Sequence, residues 1–398
     1  MKILLVHNTY QQPGGEDVVF HQERTLLEKA GHEVIAYQRS NFEVDRYTGL
    51  RRLDLAKRTI WASDTKREFS RLLRREQPEL VHVHNTFVMI SPSIYSACSE
   101  AGIPAVQTLH NFRLLCPDGI FFRDGHVCEE CHQGSLWHSI QHACYQGSRA
   151  ATAVVAGMLE FHRLRDTWKR EVSQFISLTE FARQKFIAGG FPADRITVKP
   201  NFVDPDPGEQ QAKQNYALLL GRLAPGERVR TTLKAWKLLQ ADLPLVIIGG
   251  GPNQTELEAE AGQLGLKNIS FRGQQPRAEA LAALRAARFL LFPSEWYEGF
   301  PMTLAESFAC GTPVICSRLG AMQEIVADGV TGLQFGAGDA AELASKVEWA
   351  CAHPAEMRAM GQNARREFEA KYTAEKNYPQ LLEIYQRALQ GAPKRGKS

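Results

Sequence analysis

The sequence has neither a long hydrophobic run nor a strong excess of charge of one sign. No stretch of its 398 residues approaches the roughly 18 apolar residues that span a bilayer. The 47 Lys and Arg residues exceed the 44 Asp and Glu residues by only three, so attraction to anionic partners must come from local patches. The N-terminus, MKILLVHNTY, lacks the apolar core and cleavage site of a secretory signal. We therefore expect a globular chain in the cytoplasm.

Cysteine is too sparse for a disulfide-stapled miniprotein, since the chain has only eight. Half of them nevertheless fall in one segment, at about residues 113–148: Cys116, Cys128, Cys131 and Cys144. The CxxC at Cys128 and Cys131 suits two ligands of a tetrahedral structural zinc site. Because the other two cysteines form no second CxxC, unligated or oxidisable thiols remain the alternative. We predict no catalytic metal.

Short apolar runs alternate with segments of helical periodicity in both halves of the chain, which predicts parallel sheets covered by helices. The predicted strands are Ile3–Val6, HEVIAY, ELVHVH, IPAVQTLH, NYALLLGRL, LPLVIIGGG, NISFRG, ARFLLFPS and TPVICS. The predicted helices are 18–30, 91–101, 231–240, 254–264, 277–287 and 374–390. The segment PNFVDPDPGEQQ has little to bury and resembles a linker.

This pattern predicts an α/β chain of two Rossmann-like domains, 1–199 and 200–373, facing an interdomain cleft. A C-terminal helix from residue 374 is expected to pack back on the first domain, followed by a disordered tail to residue 398. The fold alone fits dehydrogenases, binding proteins, kinases and glycosyltransferases alike.

The segment EWYEGFPMTLAESFACGTPVICS is the most informative about chemistry. Pro301 can open a helix whose N-terminus would attract a phosphate, and Thr303 adds a hydroxyl. If the segment were helical throughout, Glu298 and Glu306 would lie about 12 Å apart, too far for a glycosidase pair of carboxylates. They would instead contact different parts of a long ligand such as a nucleotide sugar. Taken alone, each glutamate is also compatible with an ordinary solvated acid.

This segment resembles the signature of family-4 retaining glycosyltransferases with the GT-B fold. Other segments are similar to that family in order and spacing: the glycine loop Gly14-Gly15-Glu16, HVHN, TLHN with His110, GRL at 221–223, IIGGGP at 247–252 and FRG at 271–273. The resemblance implies that Glu298 and the adjacent amides contact the donor sugar, and that Glu306 binds the ribose hydroxyls.

On this basis we expect His110, Glu298 and Arg222 to be catalytic, with Arg222 neutralising the diphosphate. The expected substrate-binding set is Gly14, Gly15, Arg222, Arg228, Gly249, Gly251, Gly273, Glu298, Gly299, Phe300, Pro301, Met302, Thr303, Leu304 and Glu306. From the residues alone, Gly14 and Gly15 also fit a plain turn, and His110 also fits a core histidine. His82 and His84 are weaker candidates, and no protein nucleophile is assigned.

The chain departs from the family at one position. A Lys usually lies five residues beyond this Arg and helps to hold the diphosphate, but an ungapped alignment places Glu227 there. Arg228 and Arg230 are neighbouring bases that can replace it. Without such a replacement the leaving group would be less stabilised, so a catalytically silent sugar-nucleotide scaffold or sensor is the alternative function.

The segment from Arg46 to Arg75 carries ten basic residues against three acids, with Ile60, Trp61 and Phe69 among them. Basic and apolar residues together favour an anionic membrane surface, and a solvated helix face is the alternative. Nucleic-acid binding, with or without zinc, is a weaker reading because no finger or RNA motif accompanies the segment. The DPD sequence at 204–206 mimics a metal-binding DxD but lies in the proline-rich linker, where a plain loop is expected.

We therefore predict a metal-independent hexosyltransferase that uses a nucleotide diphosphate sugar, with retention implied by the resemblance. The expected acceptor is a saccharide or lipid-linked hydroxyl in polysaccharide, glycolipid or other glycoconjugate synthesis. The enzyme would be cytoplasmic, at most peripheral on the inner face of the membrane, and would bind no nucleic acid.

Overall fold

The computed structural model describes residues 1–12, 14–210, 212–223 and 228–391. Strands and helices alternate along the chain, as the periodicity predicts. The strands up to residue 200 are β1 (Lys2–Thr9), β2 (Glu33–Ser40), β3 (Leu80–Val83), β4 (Ala105–Leu109), β5 (Phe122–Arg123), β6 (His126–Val127), β7 (Gln174–Ser177) and β8 (Ile196–Val198). The helices are α1 (Gly15–Lys29), α2 (Arg52–Ile60), α3 (Ser63–Glu76), α4 (Ser93–Glu100), α5 (Glu130–Gln133), α6 (Trp137–Gln141), α7 (Arg149–Leu164), α8 (Thr167–Glu171) and α9 (Glu180–Ala188).

The remaining strands are β9 (Ala217–Leu220), β10 (Leu245–Ile248), β11 (Ile269–Phe271), β12 (Phe289–Phe292), β13 (Val314–Ser317) and β14 (Gly332–Phe335). The remaining helices are α10 (Arg228–Leu238), α11 (Gln254–Gln263), α12 (Arg277–Ala286), α13 (Met302–Ala309), α14 (Gly320–Ile325), α15 (Ala340–Ala352), α16 (Pro354–Lys371) and α17 (Ala374–Gln390). Among the helices of the described residues, none is both long enough and apolar enough to cross a membrane.

The chain forms two compact units. The first consists of Met1–Phe121, Cys128–Pro200 and the residues from Asn377 onward, and the second of Phe122–Val127 and Asn201–Lys376. Within the first unit, Asn377 of α17 donates from Nδ2 to the carbonyl of Pro200 (2.6 Å). The predicted disordered tail, Lys394–Ser398, lies outside the described residues.

Each unit contains a six-stranded sheet in which all pairs are parallel. The first sheet has the order β2-β1-β3-β4-β7-β8 and the second β11-β10-β9-β12-β13-β14. The second order is that of a Rossmann sheet, with its reversal between β9 and β12. The runs Ile3–Val6 and Phe289–Leu291 are almost completely buried, as expected for strands with helices on both faces. The prediction of two Rossmann-like α/β sheets is confirmed.

The structure extends some predicted elements and adds others. Helix α1 begins three residues before the predicted start, because the Asp17 carboxylate accepts a hydrogen bond from the Gly14 amide (2.7 Å) and closes the first turn. The sequence pattern did not predict β7, β8 or β14, which have only three or four residues each. Runs this short carry too little periodicity to be distinguished from loops.

Candidate active site

The loop after β12 places Glu298 at the reversal point of the second sheet. Ligands of open α/β sheets bind at the carboxyl ends of the strands at such a point. The Glu298 side chain is half-buried and accepts a hydrogen bond from the Ser294 hydroxyl (3.3 Å). Burial raises the pKa of this carboxyl, and the Arg228 cation opposes that rise. The carboxylate thus lies beside a guanidinium at the expected ligand-binding edge.

Arg228 opens helix α10 and brings its guanidinium to this edge. Its Cζ lies 5.7 Å from the ring centroid of Trp296, and a Cβ added at Gly221 would overlap its Nη2. Its Nε is buried and has no hydrogen-bond partner among the described residues. Burial lowers the pKa of Arg228, Glu298 raises it, and the nearby Arg222 lowers it. A buried N–H without a partner is costly, and a bound ligand can supply the missing acceptor.

Arg222 follows β9 and is exposed. Its positive charge contributes to lowering the pKa of Arg228. The structure therefore brings together two of the predicted arginines and Glu298. Glu227, the position where the family usually has Lys, lies outside the described residues.

Glu306 lies on α13, with its side chain 12% exposed and its Oε1 2.8 Å from Nη2 of Arg277. Burial raises the pKa of the carboxyl, and the ion pair with Arg277 opposes the shift. Pro301 directly precedes the first helical residue, Met302, as predicted. The helix does not reach back to Glu298, so the all-helical spacing of about 12 Å does not apply.

Several residues predicted to bind substrate have clear packing roles. A Cβ on Gly249 would overlap the carbonyl oxygen of Gly221, and one on Gly251 would overlap that of Leu223. These glycines therefore permit close backbone approach between the ends of β9 and β10. Gly249 also donates its amide to the carbonyl of Gly273 (2.8 Å).

The side chains of Phe300 and Leu304 lie in the core, at 7% and 0% exposure. The Phe300 ring contacts Tyr372 with centroids 5.5 Å apart, and the Leu304 amide donates to the Pro301 carbonyl (3.0 Å). Met302 and Thr303 are half-buried, whereas Gly299 and Pro301 are buried. Among residues 299–304, Met302 and Thr303 therefore leave the most side-chain surface for a ligand.

In the first unit, His110 follows β4 and is half-buried. Its Nε2 lies 3.0 Å from Nδ1 of His84, which follows β3, and the two rings stack with centroids 5.2 Å apart. A cavity of about 40 Å³ is lined by both histidines together with Gln107 and Thr108. This volume suits a water molecule or a single hydroxyl group. His84, a weak candidate from sequence, is thus in direct contact with the predicted catalytic histidine.

Gly14 precedes α1, and Gly15 is the first residue of this helix. Gly14 caps the helix through Asp17, and Asp17 also holds His7, with Oδ1 2.9 Å from Nε2. Glu16 accepts a hydrogen bond from Nδ2 of Asn111, the residue after His110. The glycine loop and the TLHN motif are therefore joined by side chains, a link that neither motif predicts alone.

Sequence reasoning missed several partners of the predicted residues. Trp296 and Ser294 lie inside or beside the EWYEGF motif, so their proximity to Glu298 was a usable signal. Arg277 is 29 positions from Glu306 and Lys199 is 176 positions from Glu23, and no local pattern connects either pair.

The cysteine segment does not have the geometry of a preformed metal site. In the described part of the chain, only Glu23, His82 and His84 form a group of three or more potential ligands within 4.8 Å of one another. Cys116, Cys128, Cys131 and Cys144 do not. Burial raises the pKa of Cys131, and Cys116 and Cys128 are near enough to raise it further. Zinc binding by these cysteines stays a prediction.

The basic segment contains α2 and α3, and three large apolar side chains are exposed just before it or in its first residues. These are Phe42 (60%), Leu50 (86%) and Leu53 (63%). In the DPD sequence, Asp206 is held by both Nη atoms of Arg365 at 2.7 and 2.6 Å, within a segment without helix or strand. This pairing agrees with a structural loop.

The comparisons with known proteins cover both units. The model described as Glycosyltransferase Family 4 matches residues 13–207, and the model described as Glycosyl transferases group 1 matches residues 203–367. The chain belongs to glycosyltransferase family 4. The predicted resemblance is confirmed, and with it the GT-B fold class.

Two curated relatives of this family-4 chain are bacterial. D-rhamnosyltransferase WbpZ of Pseudomonas aeruginosa is 34% identical over 135 residues, which cover 33% of this chain and 35% of that protein. O-antigen chain mannosyltransferase B of Escherichia coli is 28% identical over 173 residues, covering 38% and 45%. The chain thus spans less than half the length of these two relatives.

Solved structures match nearly the whole family-4 chain. HepE of Anabaena, solved with UDP, matches with a TM-score of 0.70 at 18% identity, covering 97% of this chain and 100% of that one. Sucrose-phosphate synthase of Thermosynechococcus elongatus matches with a TM-score of 0.72 at 18% identity, covering 98% and 100%. At this level of identity the likeness establishes the fold.

Proposed function

We propose that the protein is a retaining hexosyltransferase that uses a nucleotide diphosphate sugar as donor. The bond between the anomeric carbon and the diphosphate breaks, a bond to an acceptor hydroxyl forms, and the hydroxyl proton is released. Family membership supports the donor class. The acceptor we propose is a saccharide or lipid-linked saccharide, in keeping with relatives named for rhamnose transfer and O-antigen mannose transfer.

The observation that carries this proposal is the cluster of Arg228, Glu298 and Trp296 at the reversal point of the second sheet. Arg228 offers a buried Nε–H without a partner among the described residues. A diphosphate oxygen is a suitable acceptor for that N–H, because charge-assisted bonds from arginine to phosphate are strong. Arg222 lies close enough to share the anionic charge, and together they would stabilise the departing diphosphate.

Glu298 and Glu306 have different roles in this proposal. Glu298 contacts the sugar, where positive charge develops as the bond breaks, and Glu306 accepts hydrogen bonds from the ribose hydroxyls. Arg277 holds one oxygen of Glu306 at 2.8 Å and favours the charged form of the carboxylate. No metal takes part in this scheme.

The test is a pair of isosteric variants, Glu306→Gln and Glu298→Gln. Charge-assisted bonds to ribose contribute roughly 1.5 to 3 kcal/mol, so Glu306→Gln should weaken donor binding about tenfold or more. Glu298→Gln should lower turnover more than affinity, because its charge acts on the transition state. Donor binding is measured by calorimetry, and turnover by release of the nucleoside diphosphate.

The control is Glu356→Gln, which changes an exposed glutamate of α16 in the same unit. It should leave binding and turnover unchanged. Wild-type affinity and turnover in both site variants would show that the EGFPMTLAE segment is not the donor site. Donor binding without any turnover in the wild type would instead favour the silent scaffold.

We also propose that the segment with α2 docks on an anionic membrane surface. Phe42, Leu50 and Leu53 expose apolar surface next to Arg46, Arg51 and Arg52, all of which are exposed. Side chains of these two kinds are the ones that interfacial helices use against anionic lipid. Such docking would bring the protein to a lipid-linked acceptor.

A further inference from the structure

A cluster of buried polar side chains lies behind His110 in the first unit. Its members are at most 2% exposed: Glu23, His82, His84, Lys199, Asn377 and Tyr385. They come from α1, β3, the end of β8 and α17, so distant segments of the chain converge here. Burying so many polar groups is costly unless they are paired, and the pairing determines where the protons lie.

The charges in the cluster are balanced by Glu23 and Lys199. The Lys199 ammonium donates to Oε1 of Glu23 at 2.7 Å and to Oδ1 of Asn377 at 2.9 Å. Burial raises the pKa of Glu23, but Lys199 and the neighbouring histidines outweigh it and hold the pKa well below its usual range. The carboxylate is therefore ionised. Although Glu23, His82 and His84 have the spacing of metal ligands, the ammonium already supplies the positive charge.

His82 is held by partners other than Glu23. Its Nδ1 lies 2.8 Å from the Tyr385 hydroxyl, and its Nε2 lies 2.8 Å from the Thr108 hydroxyl. The second oxygen of Glu23, Oε2, is closer to Nε2 of His84 (3.3 Å) than to Nδ1 of His82 (3.6 Å). Neither Oε2 of Glu23 nor Nε2 of His84 makes a hydrogen bond of good geometry among the described residues, so Glu23 acts on His84 through its charge at short range.

An ionised carboxylate only accepts, so it favours the proton of His84 on Nε2. Burial lowers the pKa of His84, and the ring is neutral with a single N–H. Its Nδ1 is then a bare acceptor facing Nε2 of His110 at 3.0 Å. His110, whose pKa burial holds well below its usual range, is also neutral and must place its proton on Nε2.

We propose that Glu23 and His84 are positioning residues that fix His110 in the tautomer protonated at Nε2, leaving Nδ1 free to accept a hydrogen bond from a substrate hydroxyl. The cavity of about 40 Å³ lined by His84 and His110 is large enough for one hydroxyl group. The role in substrate binding rests on the proposed transferase function. The tautomer does not, because it follows from contacts within the first unit.

The experiment is histidine ¹⁵N NMR on the full chain at pH 7.5, with the His110 signals assigned by their loss in His110→Gln. We expect a protonated Nε2 and a bare Nδ1 for His110 in the wild type, with a preference of at least about fivefold. A protonated Nδ1 with a bare Nε2, or a doubly protonated ring, would overturn the proposal. This readout needs no substrate and no variant of the cluster.

Two substitutions of His84 then test the positioning role. His84→Leu removes the acceptor, so the tautomer preference of His110 should fall to less than about twofold. His84→Asn retains an amide oxygen that can accept from Nε2–H and should restore most of the preference. If His84→Leu leaves the preference unchanged, His84 does not set the tautomer.

Turnover separates the two proposals from each other. Under the combined account, His84→Leu lowers turnover at least tenfold and changes the donor dissociation constant less than twofold. The expected tautomer in a protein that transfers no sugar would overturn the proposed function and keep this inference. Sugar transfer by a wild type whose His110 has the opposite tautomer would support the proposed function and overturn this inference.

Discussion

His162, on α7, is a buried titratable group outside the proposed site. Its Nδ1 lies 2.9 Å from the Thr167 hydroxyl and its Nε2 2.9 Å from the carbonyl of Ile60, and its ring stacks on Trp61. Burial lowers the pKa of His162 to about 4, opposed by the Ile60 carbonyl. In an unfolded chain the pKa of histidine is about 6.5. The unfolded state therefore binds a proton in a pH range where the folded state does not.

Stability should consequently fall as the pH drops below about 6.5, and this loss should continue to about pH 4. Between pH 7.5 and pH 5, His162 should account for about 2 kcal/mol of lost unfolding free energy, at about 1.4 kcal/mol per pH unit. Measured by urea unfolding, the free energy of unfolding of His162→Gln should therefore fall less between these two pH values than that of the wild type, and the difference should equal this contribution. His126→Gln, at an exposed histidine, is the control and should behave as the wild type. Equal pH dependence of His162→Gln and the wild type would contradict this account.

At the scale of single residues, the sequence predicted groups within a motif better than groups paired across the chain. Glu298, Glu306 and Arg228 could be chosen because they lie in segments with a family pattern. Glu23 and Lys199 could not, because their pairing depends on packing between α1 and the end of β8. Gly249 and Gly251 were predicted to bind substrate, and the structure adds a second reason for glycine at both positions, which is close contact with the backbone of Gly221 and Leu223.

At the scale of elements, helix α2 is packed on one side and exposes a large apolar side chain on the other. Its inner face packs on the rest of the first unit. Thr59 is 4% exposed, and Arg58 donates to the carbonyl of Met89 at 3.1 Å. Its outer side carries the exposed Leu53, and the exposed Leu50 lies two residues before the helix begins. Exposed leucines beside arginines indicate contact with a surface that is both apolar and anionic.

Binding to vesicles containing anionic lipid should therefore fall steeply with salt and be weak on neutral vesicles. The double variant Leu50→Ser with Leu53→Ser should weaken binding about tenfold or more at constant salt, since full burial of one leucine contributes roughly 1.5 to 3 kcal/mol. Vesicle co-sedimentation measures both effects. Leu238→Ser, at a half-exposed leucine of the second unit, is the control. Equal binding of the wild type to neutral and anionic vesicles would refute the docking proposal.

At the scale of the whole molecule, the alternation of strands and helices was sufficient to predict two parallel sheets. The order of the strands was not predicted, because sheet neighbours such as β9 and β12 are separated by two other strands in the chain. The position of the candidate donor site depends on that order. Strand β12 pairs with β9 in parallel, so the loop after β12 starts at the same edge of the sheet as Gly221 and Arg222, which follow β9.

The most direct test of the central claim is a calorimetric titration of the full chain with a panel of nucleotide diphosphate sugars. We predict that at least one member binds, and that Arg228→Gln weakens it about tenfold or more because a charge-assisted bond to the diphosphate is lost. Arg366→Gln, at an exposed arginine of α16, should leave the affinity unchanged. A wild type that binds no member of the panel, or an Arg228→Gln variant that binds as tightly as the wild type, would contradict the account.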